Sequence, residues 1–478
     1  MSEASPLTLA LSREGRVDRE KTLGASRVRT LGVLGGGQLG RVLVQAAQCL
    51  GFETVVLCAD SDEPAAQISN HHIAANYNDH AALQKLAEAC CAVTTEFENV
   101  PAEALAFLAE PARHVRVSPR ASAVRIAQDR VLEKAHFAAS NVPTAPYRVI
   151  ETDAHIATVP PDFYPAILKT ARMGYDGKGQ VRVKTPAELA AAWADLQGVP
   201  CVLEKMLPLA LECSVIVARG ADGRCVNLPV QRNLHRDGIL AVTEVYEGNL
   251  PPALVERAVA AAKSIADGVQ YVGVLCVEFF VLDESHPAAA GLGGLVVNEM
   301  APRPHNSGHY SMDACDVSQF DLQVRTLAGL PLVQPRQHSP ALMLNLLGDI
   351  WPNEGRDGGV PDWAAVLALP GTHLHLYGKL DAKRGRKMGH LNFTGPSPEA
   401  VREQAEHRRI QVPVARRAEE SCVAEAEHAT VPPDEPIPAA ARRAGHGDDR
   451  DTAGPPFQLP HALPEPLRHV AFGLIAEP

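Results

Sequence analysis

Asn298-Glu-Met-Ala-Pro-Arg-Pro-His-Asn-Ser-Gly-His309 closes an apolar run, Gly294-Leu-Val-Val297, that reads as a buried strand. The segment carries a carboxylate (Glu299), a guanidinium (Arg303), two imidazoles (His305, His309) and two small polar groups (Asn306, Ser307). Pro302, Pro304 and Gly308 hold it in a rigid, non-helical course. So many polar groups at the end of a buried strand are costly unless each has work to do. The segment therefore reads as an active-site wall, with a metal on one side and an anion on the other.

Glu278 lies upstream, in the apolar stretch Cys276-Val-Glu-Phe-Phe280. A hairpin would set it beside Glu299, and two carboxylates on one sheet face repel unless a cation lies between them. A hard, all-oxygen site suits Mg²⁺, which commonly also holds substrate phosphates. Lys169 ends the strand Tyr164-Pro-Ala-Ile-Leu-Lys169 and precedes Gly174-Tyr-Asp-Gly-Lys-Gly-Gln180. Glycines there let backbone amides approach phosphate oxygens and let the loop close. Glu204-Lys205-Met206, followed by Glu212, could hold a purine and a ribose. Lys379, Lys383, Arg384, Arg386 and Lys387 would suit a phosphate monoester. Taken alone, an ordinary turn and a solvated basic hairpin are the plainer readings of the glycine loop and the cation cluster.

The chain opens its regular pattern at Arg29-Thr-Leu-Gly-Val-Leu-Gly35-Gly-Gly37-Gln-Leu-Gly40, a strand, a glycine turn and a helix. A second strand follows at Thr54–Cys58, and Asp60 lies 20 residues after Gly40, which by motif alone is a dinucleotide fingerprint. Helix, strand and helix continue at 81–89, 92–95 and 101–109, so a parallel sheet is expected. Thr95-Glu-Phe-Glu-Asn99 then sits at a strand's carboxyl end, where open α/β sheets bind ligands. Past residue 120 the pattern becomes α+β. A helix starts near Gln128-Asp-Arg130, and 185–196 is another. Strands are expected at 212–218, 224–230, 240–246, 272–282 and 295–300, with one long helix at 251–268.

The net charge of −11 and the absence of a basic tract speak against a nucleic-acid partner. No apolar run reaches transmembrane length and the first thirty residues lack a signal-peptide core, so a cytoplasmic protein is expected. The ten cysteines form no Cys-x-x-Cys and read as small core residues of a reducing compartment.

Five marks in this order, Gly35–Gly40, Thr95–Asn99, Gly174–Gln180, Asn298–His309 and Gly385-Arg-Lys-Met-Gly-His390, resemble the ATP-grasp superfamily. Within it they resemble the N5-carboxyaminoimidazole ribonucleotide synthase family, over about Leu31 to Phe393. The resemblance implies an α/β and α+β ATP-grasp architecture: an N-terminal dinucleotide-like domain over 29–120, a lid over 121–206, a large, mostly antiparallel sheet over 207–340 and a small C-terminal domain over 341–410. It implies carboxylation of aminoimidazole ribonucleotide with ATP, Mg²⁺ and bicarbonate, through carboxyphosphate, in a protein that is a homodimer. Outside the resemblance, residues 1–28 read as a flexible leader, and 411–478, rich in Ala, Pro, Arg and Glu with little apolar periodicity, as a mostly disordered tail.

The same resemblance implies the roles. Arg130, Lys169, Gly174, Gly177, Gly179, Gln180, Glu204, Lys205, Glu212 and Asn298 surround ATP. Glu278 and Glu299 hold the metal. Gln38, Leu39, Tyr175, Asp176, Lys379 and Arg386 bind the ribonucleotide, and Arg303, His305 and Asn306, with Lys379, carry the bicarbonate chemistry. Arg232 and Arg384 depart from the family's pattern. A formate-dependent glycinamide ribonucleotide transformylase of the same superfamily, an NAD oxidoreductase built on Gly35–Gly40 and a non-catalytic nucleotide-binding scaffold are the rivals.

Overall fold

The computed structural model describes residues 29–174, 179–236, 238–351 and 359–407. The expected leader and tail, and Tyr175, Asp176 and Gly177, lie outside the described residues. The chain divides into two compact units at Ala121 and Ser122.

The first unit is a parallel sheet of β1 (Thr30–Leu34), β2 (Glu53–Cys58), β3 (His71–Ala74), β4 (Ala92–Thr95) and β5 (Arg116–Val117), in the order β3-β2-β1-β4-β5. Leu39, Val42, Leu43 and Ala47 form the apolar stripe that docks the helix Gln38–Cys49. The strand order reverses between β1 and β4, so their carboxyl ends, at Gly35 and Glu96, frame the crevice where such sheets bind ligands.

In the second unit a small antiparallel sheet runs β6-β9-β7-β8, from β6 (Tyr147–Ile150), β7 (Ala166–Thr170), β8 (Gln180–Val183) and β9 (Cys201–Lys205). Helix Pro186–Asp195 covers it through Leu189 and Ala192, against Leu168 and Leu203. A nine-stranded sheet follows, from β10 (Leu209–Arg219), β11 (Cys225–Asn227), β12 (Gln231–Arg236), β13 (Ile239–Val245), β14 (Gly273–Leu282), β15 (Leu295–Ala301), β16 (Ala341–Leu347), β17 (Thr372–Leu376) and β18 (Lys387–Thr394). Its main path is β15-β14-β10-β12-β13-β16-β18-β17, with β11 beside β10. The strands after residue 340 thus continue the large sheet.

Alternation along β10 decides which side chains reach the site. Cys213, Val215 and Val217 pack with Leu275, Val277 and Phe279 of β14 against the helix Pro252–Gly268. Glu212 and Ser214 turn to the other face, as Glu278 does opposite Ser214. The segment expected as one strand over 224–230 ends at Asn227, and a separate strand, β12, begins at Gln231. Its sequence, Gln-Arg-Asn-Leu-His-Arg, lacks the apolar alternation by which strands are read.

Candidate active site

In the first unit the fingerprint's donors are already committed. Glu96 accepts from the amides of Gly37 (2.9 Å) and Gly40 (3.0 Å), the groups that would otherwise cradle a pyrophosphate at the helix start. Gly35 has φ +116°, and a Cβ there would stand 2.6 Å from the Glu96 carboxylate, so the turn is built around that side chain. Asp60 accepts from the Asp62 amide, a local turn contact. A dinucleotide reading of the turn is therefore rejected. Gln38 is half-buried at the helix start, whereas the Leu39 side chain is buried in the core, which leaves only its backbone for a ligand.

The second unit gathers the other groups. Glu278 and Glu299 are directly opposed across β14 and β15, and the register slips just beyond them, so that Phe279 faces Val297 and Asn298 is the extra residue of a bulge. A bulge re-aims side chains, here Asn298 and Glu299 together. Arg130 Nη1 meets Glu299 Oε2 at 3.0 Å. Lys169, at the end of β7, meets Glu204 Oε2 at 3.0 Å and donates to Asn298 Oδ1 at 3.4 Å.

Glu204, expected beside ATP, has its charge already paired within the protein. It is buried in β9, with Lys169 on one oxygen and Lys134 on the other at 3.2 Å. Burial alone would raise its carboxyl, but Lys169 and Lys134 outweigh that and hold it at about 2. It is thus the counter-ion of two buried ammoniums. Burial moves Lys169 down from the usual lysine value, with Glu204 opposing. Lys205, the next residue, is turned to the opposite sheet face by strand alternation.

This pairing carries a stability prediction. A carboxyl depressed from 4.5 to about 2 stabilises the fold above pH 4.5, and that contribution is lost as pH falls through about 2. Glu204→Gln leaves two buried cations uncompensated and is expected to cost about 3–5 kcal/mol at neutral pH. Urea midpoints against pH check it: the variant should lose the acid-side slope that the parent shows.

Glu212, the carboxylate expected at a ribose, has an imidazole neighbour. It forms a short contact with His235 of β12. Burial would lower that imidazole, but Glu212 raises it to about 9, so it is a cation at neutral pH. Burial lifts the Glu278 carboxyl to about 7, with His235 opposing and Glu299 adding to the rise. Glu299 moves the other way: Arg130 and Lys169 outweigh its burial and hold it below the usual value. Paired carboxylates driven apart in this way are a mark of a functional site. Among the described residues no group of three or more His, Cys, Asp or Glu side chains forms a metal cage. Two carboxylates fit Mg²⁺, which usually takes its other ligands from water and phosphates.

Beyond Glu299 the chain turns through Arg303, half-buried, whose Nη1 donates to Pro304 O at 3.0 Å. His305 Nε2 stands 3.5 Å from Glu278 Oε1, so the loop and the carboxylate pair share one pocket wall. The Ser307 amide donates to His305 Nδ1 at 3.3 Å, which leaves the ring proton on Nε2, facing Glu278. Burial and Arg303 keep His305 neutral. Asn306 is buried, and among the described residues neither its amide nitrogen nor its oxygen has a hydrogen-bond partner. An unpartnered buried amide asks for a small polar ligand. Gln319 fixes the loop: its side chain accepts from His305 N (2.8 Å) and donates to His305 O (2.7 Å).

Gly174 and Gly179 lie between β7 and β8, and Gln180 opens β8, paired with Lys169. Gly179 has φ +71°, and a Cβ there would press to 2.7 Å from Thr170 Oγ1. Lys379 donates to Lys387 O at 2.7 Å and Arg386 Nη1 to Asp381 O at 2.9 Å, across the β17–β18 turn. His309 stacks on His390 of β18 at 4.4 Å, and His390 on His375 of β17 at 4.5 Å, tying the anion loop to that hairpin. Lys134, His235 and Gln319, and the stacking of His309 on His390 and His375, are not apparent from the sequence as parts of a site. Only Lys134, in Gln128-Asp-Arg-Val-Leu-Glu-Lys134, left a visible trace: charged residues on what should be the buried face of a helix.

Comparison with known proteins agrees with this geometry. Residues 28–128 match the ribonucleotide synthetase preATP-grasp domain, 135–320 the ATP-grasp domain and 341–404 the phosphoribosylaminoimidazole carboxylase C-terminal domain. The chain is 41% identical to the N5-carboxyaminoimidazole ribonucleotide synthase of Brucella melitensis, over 77% of this chain and 96% of that protein. It is 40% identical to the Pseudomonas aeruginosa synthase of the same name, over 76% and 94%. The crystal structure of the Aspergillus clavatus N5-carboxyaminoimidazole synthase with ADP and 5-aminoimidazole ribonucleotide superposes with a TM-score of 0.69 at 32% identity, covering 79% of this chain and 96% of that one. Identity at this level along nearly the whole length of these relatives goes beyond a shared superfamily: the chain belongs to the N5-carboxyaminoimidazole ribonucleotide synthase family of ATP-grasp enzymes.

Proposed function

We propose that this chain joins bicarbonate to the exocyclic amine of 5-aminoimidazole ribonucleotide, with hydrolysis of one ATP to ADP and phosphate, as a C–N bond-forming ligase of purine biosynthesis. The observation that carries the reading is the contact of His305 with Glu278, which sets an anion-binding loop against a carboxylate pair. ATP supplies the driving force, because bicarbonate is a poor electrophile until one of its oxygens carries the γ-phosphoryl group. Lys169 lies beside the carboxylate pair and balances charge on the transferring phosphoryl group. Glu278 and Glu299 would hold Mg²⁺, and Asn298 on the bulge would orient the neighbouring phosphates. When bound, the ion would supply positive charge against the transferring phosphoryl group.

Arg303 and Asn306 bind the bicarbonate, and the neutral His305 orients it by hydrogen bonding without adding charge. The resulting carboxyphosphate meets the amine, whose nitrogen attacks the carboxyl carbon as phosphate leaves. The glycine turn after Lys169 excludes water during this step, because the intermediate hydrolyses readily. Arg130 acts on Glu299, and His235 with Glu212 balances charge at the nucleotide. Lys379 and Arg386 bind the phosphate of the ribonucleotide. The active form is a cytoplasmic homodimer, as the resemblance implies.

Bicarbonate labelled with ¹⁸O tests the phosphoryl step. One labelled oxygen is expected in each phosphate released during carboxylation. Unlabelled phosphate, with carboxylation still dependent on ATP, would remove carboxyphosphate from the pathway.

A further inference from the structure

The helix Arg130–Ala139 buries an unusual stripe. Its inward residues are Arg130, Glu133, Lys134 and Phe137, at the spacing where apolar side chains normally sit. Its start is fixed twice: Asp129 caps it by accepting from the Val131 and Leu132 amides, and Arg130 N donates to Ala171 O at 2.9 Å. Three side chains of this face meet three successive residues of β15. Lys134 Nζ donates to Asn298 O at 2.9 Å, Arg130 Nη1 meets the Glu299 carboxylate, and Glu133 Oε1 accepts from Met300 N at 2.7 Å. Both peptide groups flanking Glu299 are thus gripped from one helical turn.

Lys134 has no exposed surface, and Glu133 is 2% exposed, so neither has a face to offer a substrate. Lys134 also spans to Glu204 Oε1, whose other oxygen holds Lys169. A single ammonium therefore links the backbone of the bulge to the phosphate-facing lysine. Burying a lysine and a glutamate is costly, and a leucine pair would pack the same space without that cost. Burial raises Glu133 to about 8 against the pull of Lys134 and Arg130, and in either protonation state its oxygen accepts from Met300.

We infer that Glu133 and Lys134 are positioning residues that fix Glu299 and Lys169 for the magnesium–nucleotide complex by clamping residues 298–300 and Glu204. The inference rests on the reading of this pocket as the ATP and magnesium site.

Calorimetric titration of the full chain with magnesium–ADP tests it, with the magnesium dependence of turnover and the melting temperature followed in parallel. Lys134→Met and Glu133→Ala should each weaken magnesium–ADP binding by about tenfold or more, the scale seen when the support of a metal ligand is removed. The magnesium concentration for half-maximal rate should rise in step, while the KM for aminoimidazole ribonucleotide stays at the parent value. Glu133→Gln keeps the acceptor for Met300 N and should restore parent affinity. Where Lys134→Met does not fold, Lys134→Gln decides: it retains a donor towards Asn298 O and should bind about threefold more weakly than the parent.

A folded Lys134→Met or Lys134→Gln protein with parent affinity and parent magnesium dependence would overturn the inference. Failure of the parent itself to bind magnesium–ADP would instead remove the reading of the site on which it stands.

Discussion

Glu299→Gln is expected to lower turnover by at least about a thousandfold, with the fold intact. The change is isosteric, yet it touches every charge around the proposed metal. Glu299 keeps its charge because Arg130 and Lys169 outweigh its burial. Removing that charge leaves Arg130 facing a neutral amide and leaves Glu278 as the only carboxylate of the opposed pair. Glu278, lifted to about 7, should then fall, because the Glu299 charge contributes to its rise. A change in the pH profile should therefore accompany the loss of rate. Steady-state kinetics with varied magnesium check it: partial recovery at high magnesium is consistent, and near-parental activity would take Glu299 out of the metal site.

Asn306→Asp should raise the KM for bicarbonate by about a hundredfold while magnesium–ADP binding stays within about threefold of the parent. Both polar atoms of the Asn306 side chain are buried without a hydrogen-bond partner among the described residues. A carboxylate of the same shape would present a negative charge to an anionic substrate in a place poor in water. Burial would also raise the new carboxyl above the ordinary aspartate value, so the variant should recover as pH falls and the group is neutralised. Kinetics with varied bicarbonate at two pH values decide it. An unchanged KM for bicarbonate would place the anion elsewhere.

Much of the fold was legible in the sequence because periodic burial writes it there. Strands β1, β2 and β4 of the first unit, the helix Pro252–Gly268 and the hairpin of β14 and β15 follow from apolar patterning and turn residues, whereas the short, half-exposed β3 and β5 left no such pattern. Glu278 and Glu299 were legible for the same reason: each is a charge interrupting an apolar strand. Strand β12 was missed because its Gln231, Asn233 and His235 face the site face of the sheet, so the strand that contributes most polar groups has the least strand-like sequence. Its partners explain the tolerance: Ser214 Oγ donates to Gln231 Oε1, and Asn233 Nδ2 donates to Ser214 Oγ.

The charge partners of Glu204 and Glu212 are not legible in the sequence, since a carboxylate on a strand looks alike whether it meets a ligand or a buried lysine. Only the three-dimensional pairing with Lys134, Lys169 and His235 separates the two. Glu96 was similarly illegible, because a strand-end carboxylate that satisfies a glycine turn more than fifty residues earlier leaves no local mark. Arg232, the departure from the family's pattern, is opposite Glu244 across β12 and β13 and points away from the catalytic face, so it leaves the magnesium and bicarbonate groups untouched.

The most direct test is ADP release by the purified full chain, with ATP and magnesium, on adding aminoimidazole ribonucleotide and bicarbonate separately and together. The expected result is a rate that rises strongly only when both are present, with one ADP formed per carboxylated product. No rise with both, or a rise with glycinamide ribonucleotide and formate instead, would contradict the assignment.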